Sequence, residues 1–162
     1  MIRENTIPVN RLHEGKPEVI VIDDDESMCE GCRQTLESEG FRAAIALDGK
    51  QGLILIKAIH PKVALVDLKM PGMSGQEVLA RISELDSSVV SIVITGYGTI
   101  NSVIETMKVG AYDFLTKPFE PEKLIDSVKE GIKLSQTRNE QRNSEMMNAV
   151  QEYRVKLRKP ST

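Results

Sequence analysis

The sequence predicts an α/β fold: a doubly wound, five-stranded parallel sheet with helices on both faces. Three observations carry this. Five short apolar runs rich in Val, Ile and Ala recur between Val19 and Thr116. Segments of helical period separate them. The most apolar runs lack the polar alternation of a half-exposed strand, as strands covered on both faces do.

Taken in order, "VIVID" (Val19–Asp23) is the first strand, and Met28, Cys32 and Leu36 form the stripe of the first helix. "RAAIA" (Arg42–Ala46) follows as the second strand. "GKQGLILIKAIH" is apolar enough for helix or strand, and the alternation demands a helix. "VALVD" (Val63–Asp67) is the third strand, and Val78, Leu79, Ile82 and Leu85 mark the third helix. "VVSIVIT" (Val89–Thr95) precedes a stripe of Ile100, Val103, Ile104 and Met107. "YDFLT" (Tyr112–Thr116) precedes Leu124, Ile125, Val128 and Ile132. Gly40 and Gly110 stand where helices must end, and His60, before Pro61, closes the second helix. Five alternations specify right-handed crossovers, and such sheets bind ligands beyond the carboxyl ends of their strands.

Composition narrows the function. The chain has 162 residues, 40% hydrophobic and 28% charged, with a net charge of -3. That is one domain with a sizeable core, and no bulk charge argues for a nucleic-acid or anionic-membrane partner. No apolar run reaches the roughly 18 residues of a membrane span, and the polar start "MIRENTIPVNRLHEGKPE" lacks a signal sequence's apolar stretch. These features predict a cytoplasmic protein with a loose N-terminal tail over residues 1–17. Two cysteines make no disulfide framework.

The strand ends converge on one chemistry. The first brings Asp23, Asp24 and Asp25; the third, Asp67; the fourth, Thr95; the fifth, "TKPF" with Lys117 and Pro118. Pro71 and Gly72 turn the chain away after Asp67. Two carboxylates about 5 Å apart repel by roughly 3 kcal/mol at an effective dielectric of about 20. Lys117 supplies one counter-charge, and a divalent cation would supply the rest. An all-oxygen set favours Mg²⁺, or Mn²⁺, over zinc. A carboxylate, a hydrated Mg²⁺, a lysine and a hydroxyl together suggest phosphoryl transfer onto an aspartate.

These motifs carry a resemblance. "VIDDDE", "DLKMPGMSG", "VITGYGT" and "GAYDFLTKPF", in order, make Glu18–Leu134 resemble a CheY-like receiver domain of two-component response regulators. The resemblance implies a flavodoxin-like (βα)5 fold with strand order 2-1-3-4-5. It implies phosphorylation of Asp67 by a sensor histidine kinase or a histidine phosphotransfer protein. It also implies Mg²⁺ held by Asp24, Asp23, Asp67 and the Lys69 backbone carbonyl. Thr95 would hydrogen-bond the phosphoryl group, Lys117 would pair with it, and Phe114 takes the place of the aromatic switch residue. The Lys117–Pro118 bond would be cis. Output would pass to a downstream protein, or to a second copy, through the face of the fourth helix, fifth strand and fifth helix. Such a domain phosphorylates and dephosphorylates itself but turns over no metabolite. The wording is most similar to receivers of enhancer-binding, NtrC-type regulators, whose ATPase and helix-turn-helix domains are not in this sequence. A whole protein of this kind would be a stand-alone receiver with a tail; a fragment would leave its output elsewhere.

Competing readings attach to the same residues. "VIVIDDDES" superficially matches the DxDx signature of haloacid-dehalogenase-type phosphatases, with Asp23 as nucleophile and Asp25 as acid, but no later acidic pair follows Lys117. A phosphorylation-independent interaction module is the other alternative. Asp25 reads better as a residue that faces the loop or caps the first helix. Cys29 and Cys32 form a CxxC but share a face with Leu36, so they read as core. His13 and His60 are isolated. Lys69 and Tyr97 flank the expected water approach. Residues 135–162 predict a helical extension in which Met146, Val150, Tyr153 and Leu157 recur at coiled-coil spacing. Ser135, Asn139 and Arg142 interrupt that seam upstream. The extension reads as a dimerisation or output-coupling helix against the simpler reading of a solvated one. Its basic end, Lys156, Arg158 and Lys159, is solubilising.

Overall fold

The computed structural model describes residues 15–96 and 98–158. His13, Tyr97 and Lys159 lie outside them, as does most of the N-terminal segment. The chain runs β1 (Val19–Ile22), α1 (Glu26–Ser38), β2 (Ala43–Ala46), α2 (Gly49–Ile59), β3 (Val63–Val66), α3 (Gly75–Leu85), β4 (Val90–Thr95), α4 (Ile100–Val109), β5 (Ala111–Thr116) and α5 (Pro121–Arg158). The strands form one parallel sheet in the order β2-β1-β3-β4-β5. The ambiguous segment after Leu47 is helical.

Local chemistry sets the helix limits. Asp25, Asp48, Ser74 and Thr99 cap α1 to α4, each side chain accepting from the backbone N–H three residues on. Such caps contribute about 1 kcal/mol each. Asp25 is thus the cap its position predicts. At the other end His60 closes α2 at φ 47°, and Gly110 closes α4 at φ 113°. Gly110 meets no steric penalty there, whereas His60 adopts a left-handed conformation that a side chain disfavours.

Two cores flank the sheet. On one face Val19, Val21, Leu65, Ile92 and Ile94 pack against Cys29, Cys32 and Leu36 of α1 and Leu124 and Val128 of α5. On the other, Ile20, Ile22, Val66 and Val93 pack against Ile56 of α2 and Val78, Leu79 and Ile82 of α3. β1 and β3 alternate their side chains between these layers, so all four residues of each are buried. Cys29 and Cys32 are core residues. Burial, then the charge of Asp23, push the Cys29 thiol up to about 12 and the Cys32 thiol to about 11. Both therefore stay protonated and unreactive at neutral pH.

α5 is one helix of 38 residues, continuing well past the sheet. Its start buries Leu124, Ser127, Val128, Gly131 and Ser135, while every residue from 141 to 158 is exposed. Among the described residues no helix is long and apolar enough to cross a membrane.

Candidate functional site

β1 and β3 are neighbours in register, Ile22 opposite Val66. The residue after each, Asp23 and Asp67, therefore emerges side by side at the carboxyl edge. Both are nearly buried, at 3% and 8% exposure, and Asp24 beside them is exposed. One carboxylate oxygen from each of Asp23, Asp24 and Asp67 falls within a group no wider than 4.8 Å.

Lys117 follows β5 and reaches back across the edge. Its Nζ donates to Asp23 Oδ2 at 2.7 Å and to Asp67 Oδ2 at 3.2 Å. The backbone holds it there through the Lys117 N–H, which donates to the Thr95 carbonyl at 2.9 Å. The Lys117–Pro118 peptide is cis. Thr95 ends β4 and is fully buried. The remaining carboxylate oxygens take backbone donors: Asp25 N–H donates to Asp23 Oδ1 at 3.0 Å, and Lys69 N–H to Asp67 Oδ1 at 3.2 Å.

The electrostatics follow from burial and proximity. Burial, then the charge of Asp23, hold the Asp67 carboxyl above the usual carboxylate range; Lys117 and the Lys69 N–H oppose this without cancelling it. Burial disfavours the charge on Lys117, but the hydrogen bonds and charges of Asp23 and Asp67 outweigh it, so the ammonium is held above its ordinary value. Three carboxylates and one ammonium leave two negative charges uncompensated (3 - 1 = 2). An oxygen-only set with that deficit fits one hard divalent cation.

The loop after Asp67 folds tightly against it. A Cβ on Gly75 would stand 2.4 Å from the Asp67 carbonyl oxygen and 2.5 Å from Leu68 Cα, so only glycine fits where α3 begins. Sequence reading assigned the turn to Pro71 and Gly72 and gave Gly75 no steric role of its own. Phe114 lies on β5 opposite Val93, half-buried. A Cβ on Gly98 would stand 2.9 Å from its ring. The loop leaving Thr95 therefore rests on Phe114. Asp23, Asp24, Asp67, Thr95 and Lys117 come together at this edge, Lys69 donates to Asp67 through its N–H, and Phe114 stands within β5 against the loop that leaves Thr95.

Comparison with known proteins shows the family. The family described as response regulator receiver domain matches residues 19–129. The chain belongs to that family, whose members are signalling domains of two-component systems. It is 36% identical over 121 residues to the C4-dicarboxylate transport transcriptional regulatory protein DctD of Pseudomonas aeruginosa, covering 75% of this chain and 26% of that protein. It is 34% identical over 129 residues to the DNA-binding response regulator MtrA of Mycolicibacterium smegmatis, covering 80% and 54%. The chain thus spans between about a quarter and a half of the length of these relatives. Among solved structures, the CheY-like receiver domain protein of Methanospirillum hungatei matches at 29% identity with a TM-score of 0.70, over 74% of this chain and 96% of that one. The receiver domain of NtrX from Brucella abortus matches at 26% identity with a TM-score of 0.68, over 71% and 98%.

Proposed function

We propose that this chain is a phosphoryl-accepting switch with Asp67 as the acceptor, its receiver spanning residues 18–134 and a helical extension following. The observation that carries this is the convergence of Asp23, Asp24, Asp67 and Lys117 at one sheet edge, in a chain of the receiver family. The donor is a phosphohistidine on a sensor histidine kinase or a phosphotransfer protein.

In the reaction, a carboxylate oxygen of Asp67 attacks phosphorus and forms an acyl phosphate. The P–N bond breaks, and the imidazole nitrogen leaves with the bonding pair and takes up a proton. Asp23, Asp24, Asp67 and the Lys69 carbonyl would hold Mg²⁺, or Mn²⁺, which when bound neutralises charge on the transferring phosphoryl oxygens. Lys117 pairs with the product phosphoryl group, and its tether to the Thr95 carbonyl keeps it in place. The Thr95 hydroxyl donates to a phosphoryl oxygen. Its movement, felt through the loop that rests on Phe114, lets that ring turn inward. The face altered is α4–β5–α5, where Ile100, Ile104, Met107 and Tyr112 are exposed. A downstream protein reads that face.

The phosphatase alternative loses its acid: the Asp25 carboxylate accepts from Met28 N–H as the cap of α1. Intact-mass measurement with acetyl phosphate and Mg²⁺ tests the reading. One phosphoryl group should be gained by wild type and lost in Asp67→Asn. A gain that persists in Asp67→Asn and vanishes only in Asp23→Asn would favour the phosphatase-like chemistry. No gain from this donor or from phosphorylated kinases would favour a phosphorylation-independent interaction module.

A further inference from the structure

We propose that the groove between α2 and α3 is a docking site for an acidic amphipathic helix of a partner protein. The inference does not depend on phosphoryl transfer at Asp67.

Packing shapes the groove. At its start α2 closes on its neighbours: a Cβ on Gly49 would stand 2.6 Å from Val78 Cγ2 of α3, and one on Gly52 would stand 2.5 Å from Ile22 Cδ1 of β1. Along the rest of the helix pair a cavity of about 400 Å³ remains. Its apolar lining is Leu53 and Ile54 of α2, Leu85 of α3, and Met73 of the loop between β3 and α3. Ile54 is 61% exposed and Leu85 40%, so this lining is open to a partner.

Charge sets the chemistry of that partner. The groove is lined by three cations, Lys50, Lys57 and Arg81, and one anion, Glu84. That excess runs against a net charge of -3 for the whole chain. Arg33, Arg42, Lys117, Lys129 and Arg142 each have a carboxylate in ion-pair reach. Lys50, Lys57 and Arg81 have none among the described residues. Carboxylates on a partner would complete them.

Spacing sets its shape. Leu53 and Ile54 lie between Lys50 and Lys57, which stand about 10 Å apart along the axis of α2. A third helix laid over two packed ones meets ridges and grooves of its own kind. Its apolar side chains at i and i+3 or i+4 would fill the middle, and carboxylates one turn to either side would face the three cations. An extended segment would bring backbone N–H and C=O groups that two helix surfaces leave unpaired. α2 lies over β1 and β2, toward the end of the sheet opposite β5. The partner therefore does not compete for the α4–β5–α5 face.

The test uses the full chain without phosphodonor and a fluorescein-labelled synthetic helix of about 15 residues, stapled to stay helical. It carries leucines at i, i+3, i+4 and i+7, flanked by glutamates. Anisotropy should show saturable binding that weakens with salt. Lys50→Glu, Lys57→Glu and Arg81→Glu together should weaken it at least about tenfold, as loss of three exposed ion pairs would. That triple variant should bind a peptide with lysines in place of the glutamates, which wild type should not; a misfolded variant would not gain this binding. Amide resonances of Leu53, Ile54, Met73 and Leu85 should shift in wild type. Four results would overturn the proposal: no binding, an affinity unchanged in the triple variant, equal binding of a peptide whose leucines are spread around the helix, or shifts confined to Ile100, Ile104 and Tyr112. Pelleting of wild type with phosphatidylglycerol vesicles, lost in the triple variant, would overturn it in favour of an anionic lipid surface.

Discussion

Arg142 Nη1 lies 3.2 Å from Asp86 Oδ1, joining residues 56 apart and fastening α5 to the turn that follows α3. Asp86 also accepts from Ser88 N–H at 2.9 Å and Ser88 O–H at 2.6 Å, and His60 Nδ1 stands 3.5 Å away. Arg142 is the last residue of α5 seen holding the receiver, so Arg142→Ala should loosen the helix beyond it. Amide exchange over residues 138–150 should quicken, while global stability changes by no more than about 1 kcal/mol, as for a partly exposed ion pair.

The same cluster predicts a pH dependence. Burial acts to raise the Asp86 pKa, but the hydrogen bonds from Ser88, with Arg142 and His60, outweigh it and hold it below the usual 3.8. A carboxyl with a depressed folded pKa stabilises the native state above its unfolded value. That contribution is lost as pH falls through the folded value. Asp86→Asn should therefore flatten the loss of stability below about pH 4, followed by denaturant unfolding. An unchanged slope would mean that Asp86 has the same affinity for protons folded and unfolded.

Gly75→Ala should damage the site through the backbone. The added methyl meets the Asp67 carbonyl and Leu68 Cα, neither of which can rotate away. A loss of about 1–3 kcal/mol is expected from overpacking of this kind. The rate of phosphorylation should fall further than the folded fraction does. Gly31→Ala, in the middle of α1 with open space around its Cβ, is the control: it should raise stability by about 0.5–1 kcal/mol and leave the phosphorylation rate unchanged.

The acidic cluster predicts a metal response separable from phosphorylation. Asp24 is exposed and makes its contribution only as a carboxylate near Asp23 and Asp67. Asp24→Ala should alter metal-free stability by no more than about 0.5 kcal/mol. Wild type should gain about 1.4 kcal/mol at a Mg²⁺ concentration ten times its dissociation constant. The variant should gain much less, as read by thermal unfolding with and without Mg²⁺.

What was legible in the sequence was whatever period and position encode. Val19–Ile22 and Val63–Val66 announce themselves as buried strands, and the aspartates that follow are placed by chain order alone. The helical reading of the segment after Leu47 needed the alternation of its neighbours, because its apolar pattern fits either state. The Asp86–Arg142 contact was not legible: it joins residues far apart in sequence, and Arg142 read only as a break in a seam. The Asp113–Ser127 hydrogen bond of 2.5 Å, which fastens β5 to α5, is hidden for the same reason. Gly75 was visible as a turn glycine, but its need to be glycine comes from a backbone approach that only the folded chain creates.

The central claim is that Asp67 carries the phosphoryl group. The most direct measurement is borohydride reduction of the phosphorylated protein followed by peptide mass mapping. An acyl phosphate is reduced to the alcohol, so the aspartate that carried it becomes homoserine. Conversion at residue 67 alone, absent without phosphodonor, is the predicted result. Conversion at Asp23 or Asp24, or a retained phosphoryl group that borohydride leaves untouched, would contradict it.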